Sequence, residues 1–238
     1  MNRRDLLTSL AFAIGASAAE PDASESLYIP KAHRVEDRAL LHDFMDDYPF
    51  VDLVTAAPEI RITHIPVLLD RGVAPYGAIY GHVSKNNPQH DAFDGRQRAV
   101  IIFRGPNSYI SPSWYARPEA VPTWNFAVAH ASGTLNAVTD KRALRAFLAK
   151  LIDTFEKRYA TASSYDFAKL PDNYVEGMLG GIVGFEMKID ALEGKFKLGQ
   201  ERSETDKSGI LAHLRTAKQD PSIAELTASY YARLAKPQ

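Results

Sequence analysis

Five apolar runs between residues 50 and 138 restrict this chain most sharply. FVDLVTA starts at Phe50, EIRITHIPVLLD at Glu59, YGAIYGHVS at Tyr76, RAVIIFRG at Arg98 and AVAHASGTLNAV at Ala127. Gly, Pro, Asn and Asp clusters separate them at the short intervals of an antiparallel meander or barrel. Helical spacing lies on either side. Leu40, Leu41, Phe44 and Met45 recur among charges within Val35–Tyr48. Thr139 or Asp140 is placed to cap an amphipathic helix with Leu144, Phe147, Leu148, Leu151, Ile152 and Phe155 on one face. A short helix is expected near Asn173–Leu179, and GIVGFEMKIDALEGKFKL then returns to strand. Asp220 and Pro221 supply an N-cap and first-turn pair for a last helix, Ser222–Leu234. Nothing interrupts residues 27–238 as a boundary or repeat. The expectation is one α+β domain with a β-barrel core.

Composition removes several classes of function. A net charge of −1 over 238 residues leaves no basic footprint for nucleic acid. With no cysteine there is no disulfide, thiolate nucleophile or cysteine-bound metal. There is no G-x-S-x-G elbow, no H-E-x-x-H pair and no glycine-rich phosphate loop; His82 and His90 lack a third metal partner. At the start, Arg3 and Arg4 precede a short, mildly apolar run, Leu6–Ala16, and then Ala16-Ser17-Ala18. A basic region, a short apolar stretch and an Ala-x-Ala site read as a secretory signal too short to span a bilayer. The arginine pair points to twin-arginine export. Residues 1–26 are therefore taken as signal and polar linker, with the mature protein starting near Ala19 in the periplasm or outside the cell. The alternative is a cytoplasmic protein whose first residues form a frayed helix or follow a misassigned start.

Three segments carry candidate ligand chemistry. In Ile62-Thr63-His64-Ile65-Pro66, polar side chains interrupt an apolar strand. In Gly81-His82-Val83-Ser84-Lys85-Asn86-Asn87-Pro88, a strand runs out into donors suited to a phosphate. The third, FRGPNSYISPSWYARPEAVPTWN from Phe103 to Asn125, gathers Tyr109, Trp114 and Trp124 on proline-punctuated backbone read as turn-rich. Such rings offer flat surface with a polar tip. Taken singly, His64 is a structural histidine, Lys85 a solvated strand end and the tryptophans core closures. Together they describe a phosphate cup beside aromatic surface.

THIPVLLD, GHVSKNNPQ, FRGPNSYISPSWY, VPTWN, GIVGFEMKI and EGKFKLGQER, with LYIPKAHR at Leu27–Arg34, occur in an order and spacing that resemble the PaiB-type family of FMN-binding proteins, often labelled negative transcriptional regulators. The resemblance implies an α+β FMN-binding split β-barrel with flanking helices, assembled as a homodimer with FMN between subunits. It implies phosphate contacts from His82, Ser84 and Lys85, and flavin contacts from Thr63 and His64. It also implies a pocket wall of Tyr109, Trp114, Trp124 and Asn125, with Gln200 and Arg202 reaching in from the C-terminal strand. The chain departs from the family pattern at His90 (usually tryptophan), Asn107 (usually histidine), Gly199 (serine) and Glu201 (asparagine). No catalytic acid or base is named. Two functions follow: an exported flavin-dependent oxidoreductase acting on a small molecule, or a flavin-binding regulator without turnover. Neither requires a metal or stable membrane insertion.

Overall fold

The computed structural model describes residues 26–116, 119–160, 162–163, 165–216 and 218–235. The expected twin-arginine leader, with Arg3 and Arg4, lies outside the described residues. Eight strands form one antiparallel sheet: β1 Arg34–Val35, β2 Phe50–Thr55, β3 Arg61–Pro66, β4 Leu68–Asp70, β5 Ala78–Ser84, β6 Asp94–Ile110, β7 Thr123–Val138 and β8 Ile182–Lys197. Their order is β3-β2-β6-β7-β8-β5-β4, with β1 added to β8. The two edge strands, β3 and β4, are separated in sequence only by Val67. One residue spans only about 3.3 Å of extended chain. The far edges of the sheet must therefore meet, and the sheet curls into a barrel.

Alternation along the strands fills that barrel. On β7, Ala127, Ala129 and Ala131 face inward and lie opposite Phe196, Phe103 and Ile101. Small residues on one strand leave room for large ones on its neighbours, the interdigitation that close packing requires. Each fully buried Phe or Ile contributes roughly 1.5–3 kcal/mol relative to exposure. Gly133 sits where the β7–β8 register shifts, and a Cβ there would lie 2.3 Å from the Lys188 carbonyl oxygen. Only glycine lets the strands approach so closely.

Five helices surround the barrel: α1 Arg38–Asp47, α2 Lys141–Tyr159, α3 Asp172–Gly180, α4 Glu204–Leu214 and α5 Ser222–Leu234. Helices α1, α4 and α5 join the barrel core through Leu41, Phe44, Met45, Ile210, Leu214, Ile223 and Tyr230. Helices α2 and α3 make a separate cluster of Leu144, Leu148, Leu151, Val175 and Leu179, against which Leu68 and Ile182 pack. Asp140, not Thr139, caps α2, its carboxylate accepting the Ala143 N–H at 2.7 Å. Pro221 occupies the cap position of α5, one residue later than expected, while Asp220 accepts the Ser222 N–H at 3.0 Å. No helix of the described residues is long and apolar enough to cross a membrane.

The aromatic segment departs from its sequence reading. Phe103–Ile110 and Thr123–Asn125 are strand, paired Tyr109 to Trp124 and Ser108 to Asn125, and Pro112–Trp114 is a short 3-10 turn, so both ends of the segment are regular structure. Gly105 and Pro106 fall in an irregularity between Arg104 and Asn107 rather than ending the strand. A bulge absorbs the proline whose missing N–H would break a regular ladder.

Candidate functional site

Register places a polar group on the outer face of the sheet. His64 on β3 lies opposite Asp52 on β2, and Asp52 lies opposite Ile102 on β6. The His64 Nδ1 is 2.5 Å from Asp52 Oδ1, while Arg104 donates to Asp52 Oδ2 through Nε at 2.6 Å and through Nη2. The Asp52 side chain is only 10% exposed, whereas those of His64 and Arg104 are 60% and 64% exposed. A buried carboxylate with two cationic-type donors is fully compensated, the condition for keeping an acid there. Around this group the face is apolar and open: Phe50 is 66% exposed and Ile62 56%.

Thr63 points the other way, into a net at the barrel mouth. Its hydroxyl donates to Gln89 Oε1 and accepts from Asn87 Nδ2 at 2.8 Å. The fully buried Gln89 amide donates to the Leu53 and Arg61 carbonyls and the Thr55 hydroxyl. This ties the segment Ser84–Gln89 against β3. Arg61 joins it, donating to the Pro88 carbonyl at 2.7 Å. Ser84 Oγ accepts the Asn86 N–H at 3.2 Å. The Lys85 ammonium has no partner among the described residues; only its backbone is engaged, by the Gly181 carbonyl and His90 Nε2. Thr63, Ser84 and Lys85 are thus brought together at the barrel mouth, while His64 stands on the opposite, outer face of β3.

The other expected site residues divide. His82 turns under α2, edge-on to Phe147 with ring centroids 6.0 Å apart, and its buried Nδ1 has no partner. Burial holds its pKa below the ordinary 6.5. Tyr109 and Trp124 form an edge-to-face pair at 6.1 Å on the β6–β7 arm. Asn125, on the same arm, is buried with its Nδ2 unpartnered. Trp114 stacks on His213 of α4 at 5.1 Å, and Arg202 lies over the Tyr115 ring at 4.6 Å. Gln200 is used within its own turn, accepting from the Leu198 N–H and donating to the Phe196 and Ala32 carbonyls. Ser84 pairs with Ile182 at the start of β8, whereas Gln200 and Arg202 follow its end at Lys197. At about 3.3 Å per residue those ends are far apart along the strand. One chain therefore does not gather all eleven residues.

Sequence reasoning missed Asp52, Arg104, Arg61 and Gln89. For the first two a signal existed: with Leu53 and Ile101 inward, strand alternation puts Asp52, His64 and Arg104 on the same outer face. Gln89 gave none, because its role depends on a return of the chain.

Comparison with known proteins gives this geometry a family. Residues 27–191 match the family model described as "Putative FMN-binding domain". The protease synthase and sporulation protein PAI 2 of Bacillus subtilis is 32% identical over 201 residues, covering 84% of this chain and 94% of that protein. An uncharacterized protein of Emericella nidulans is 30% identical over 224 residues, covering 78% and 89%. Among solved structures, the flavocytochrome Anf3 of Azotobacter vinelandii superposes with a TM-score of 0.54 at 13% identity, covering 78% of this chain and 80% of that one. An FAD and heme binding protein of Mycobacterium smegmatis gives 0.52 at 16% identity, covering 69% and 73%. At such identities these two establish the fold alone, a flavoprotein-type split barrel. Matched by the family model across the sheet and by the B. subtilis relative along nearly its whole length, the chain belongs to the PaiB-type FMN-binding family.

Proposed function

We propose that the protein is a homodimeric FMN-binding oxidoreductase that acts on a small molecule after export. The observation that supports this reading is that one chain offers both a lysine, Lys85, with no partner among the described residues and an open apolar sheet face bearing Phe50 and Ile62. FMN needs both, a cation for its phosphate and apolar surface for its ring. The donor set fits: Lys85 and Arg61 supply charge, and Ser84 and Thr63 supply hydroxyls. When bound, the flavin would supply one- or two-electron transfer, and the chain would orient it and limit water around it. Tyr109, Trp114, Trp124, Asn125 and Arg202 sit beyond the other end of β8, so they reach the same flavin only from a second subunit. That is the support for a homodimer.

Titration of the apoprotein with FMN tests the reading. Saturable quenching of flavin fluorescence at micromolar concentrations is expected, and flavin left unperturbed would remove the proposal. The family resemblance, to proteins often labelled negative transcriptional regulators, favours a second reading, a regulator of gene expression. A net charge of −1 weighs against it. Retardation of promoter DNA by a cytoplasmic, unprocessed protein would restore it. Export has its own test: Arg3→Lys with Arg4→Lys keeps charge but removes the twin-arginine signal, so the precursor should stay inside the cell.

A further inference from the structure

We propose that Asp52, His64 and Arg104 form a binding site for a small organic carboxylate with an apolar body, the substrate class of the flavin reading on which this rests. Asp52 engages Arg104 through Nε and Nη2, leaving the Nη1 donors without a partner among the described residues. Asp52 also accepts from His64 through Nδ1, leaving Nε2 likewise without a partner. One buried acid therefore orients two exposed side chains on the same sheet face and fixes which nitrogen each presents. In the neutral imidazole the Nδ1 proton is committed to Asp52, so Nε2 is the ring nitrogen left without a partner among the described residues.

Charge selects the ligand. Arg104 and Asp52 cancel, so an incoming carboxylate meets the Nη1 donors beside the Nε2 edge of the His64 imidazole. The neighbouring outward positions are apolar: Val54 and Phe50 on β2, Ile62 and Pro66 on β3, Ile102 on β6. A purely inorganic anion would leave that surface uncovered. An aromatic or branched aliphatic carboxylate would cover it and pair its charge. Asp52 is a positioning residue here, acting through its two partners.

Benzoate is a suitable probe, and ring-nitrogen NMR of the apoprotein a suitable readout. His64 should show a protonated Nδ1 and a bare Nε2 in its neutral form, and benzoate should move the Nε2 resonance saturably. Arg104→Gln should weaken benzoate about tenfold or more, the loss of one charge-assisted contact. Asp52→Asn should populate the other His64 tautomer, with the proton on Nε2 in the ring-nitrogen spectrum. If Asp52→Asn fails to fold, the exposed Arg104→Gln and His64→Gln carry the test alone. Benzoate that leaves His64 unmoved at tens of millimolar, or binds Arg104→Gln as well as the parent, overturns the site. Because the readout needs no flavin, failure of FMN binding would leave this result interpretable, and the reverse holds.

Discussion

At the residue scale, Lys85 is the side chain on which the cofactor reading is most exposed. An ammonium with no partner among the described residues is held for something else or for water. If it meets the FMN phosphate, Lys85→Ala should weaken FMN roughly tenfold to a hundredfold, as expected for a charge-assisted contact. Riboflavin, which lacks the phosphate, should be affected far less. Equal losses in parallel fluorescence titrations would place the lysine elsewhere. His82 makes a different prediction. Burial lowers its folded pKa below its ordinary 6.5, as it does for His33 and His130. The unfolded chain then binds more protons than the folded one, so stability is complete above about pH 6.5 and falls as pH drops below it. Melting temperature should fall between about pH 7.5 and 5.5, and His82→Leu should shrink that fall; an unchanged slope would clear His82 of the effect. Gly199 shows how a departure from the family pattern can be conformational. Its φ is +77°, and a Cβ there would lie 3.1 Å from Ile210 Cδ1. Glycine is the residue that takes this turn without strain.

Elements explain how the long β6–β7 arm survives with a bare edge. Strand β2 pairs with β6 only over Ala99–Ile102, so the backbone edge at Asn107–Ile110 continues past it. Gln219 stands in for a strand there. Its Oε1 accepts the Tyr109 N–H at 2.8 Å and its Nε2 donates to the Tyr109 carbonyl at 3.3 Å. Gln219→Ala should cost only about 1 kcal/mol, because water can replace the amide at this exposed edge. The sharper effect is local: Tyr109 amide exchange should accelerate well beyond the global change, and uniform acceleration would deny the tether. The sequence showed these strands by their alternation and showed α2 and α5 by their caps, since both signals are local. It did not show that Gly105-Pro106 lies inside a strand, because a bulge is licensed by the partner strand. Nor did it show that Trp114 belongs to α4, through His213, or that Gln200 is consumed by its own turn. Thr63 and Lys85 were legible as a group because both sit near strand ends. Asp52 was passed over because one acid in an apolar strand acquires meaning only beside its cross-strand neighbours.

For the whole molecule, the distribution of cover is uneven. Helices α1, α4 and α5 pack on the barrel core, and α2 with α3 shields the β5 side. The outer face around Phe50, Ile62 and Trp124 keeps large apolar side chains more than half exposed. Large apolar side chains left this exposed are candidates for an interaction surface. In the homodimer proposed above, a second copy would complete the site, because the Trp124 arm and the Lys85 cup lie at opposite ends of one chain. A two-fold contact on this face would place each copy's arm near the other's cup. Ile62→Glu with Phe50→Glu introduces charge on the exposed side without touching the core. The protein should then elute as a folded monomer in size-exclusion chromatography with light scattering, and FMN affinity should fall with the dimer, since half of each site would be lost. A variant that stays dimeric would move the interface elsewhere. A monomer that binds FMN undiminished would show that a single chain holds the flavin without the distant arm.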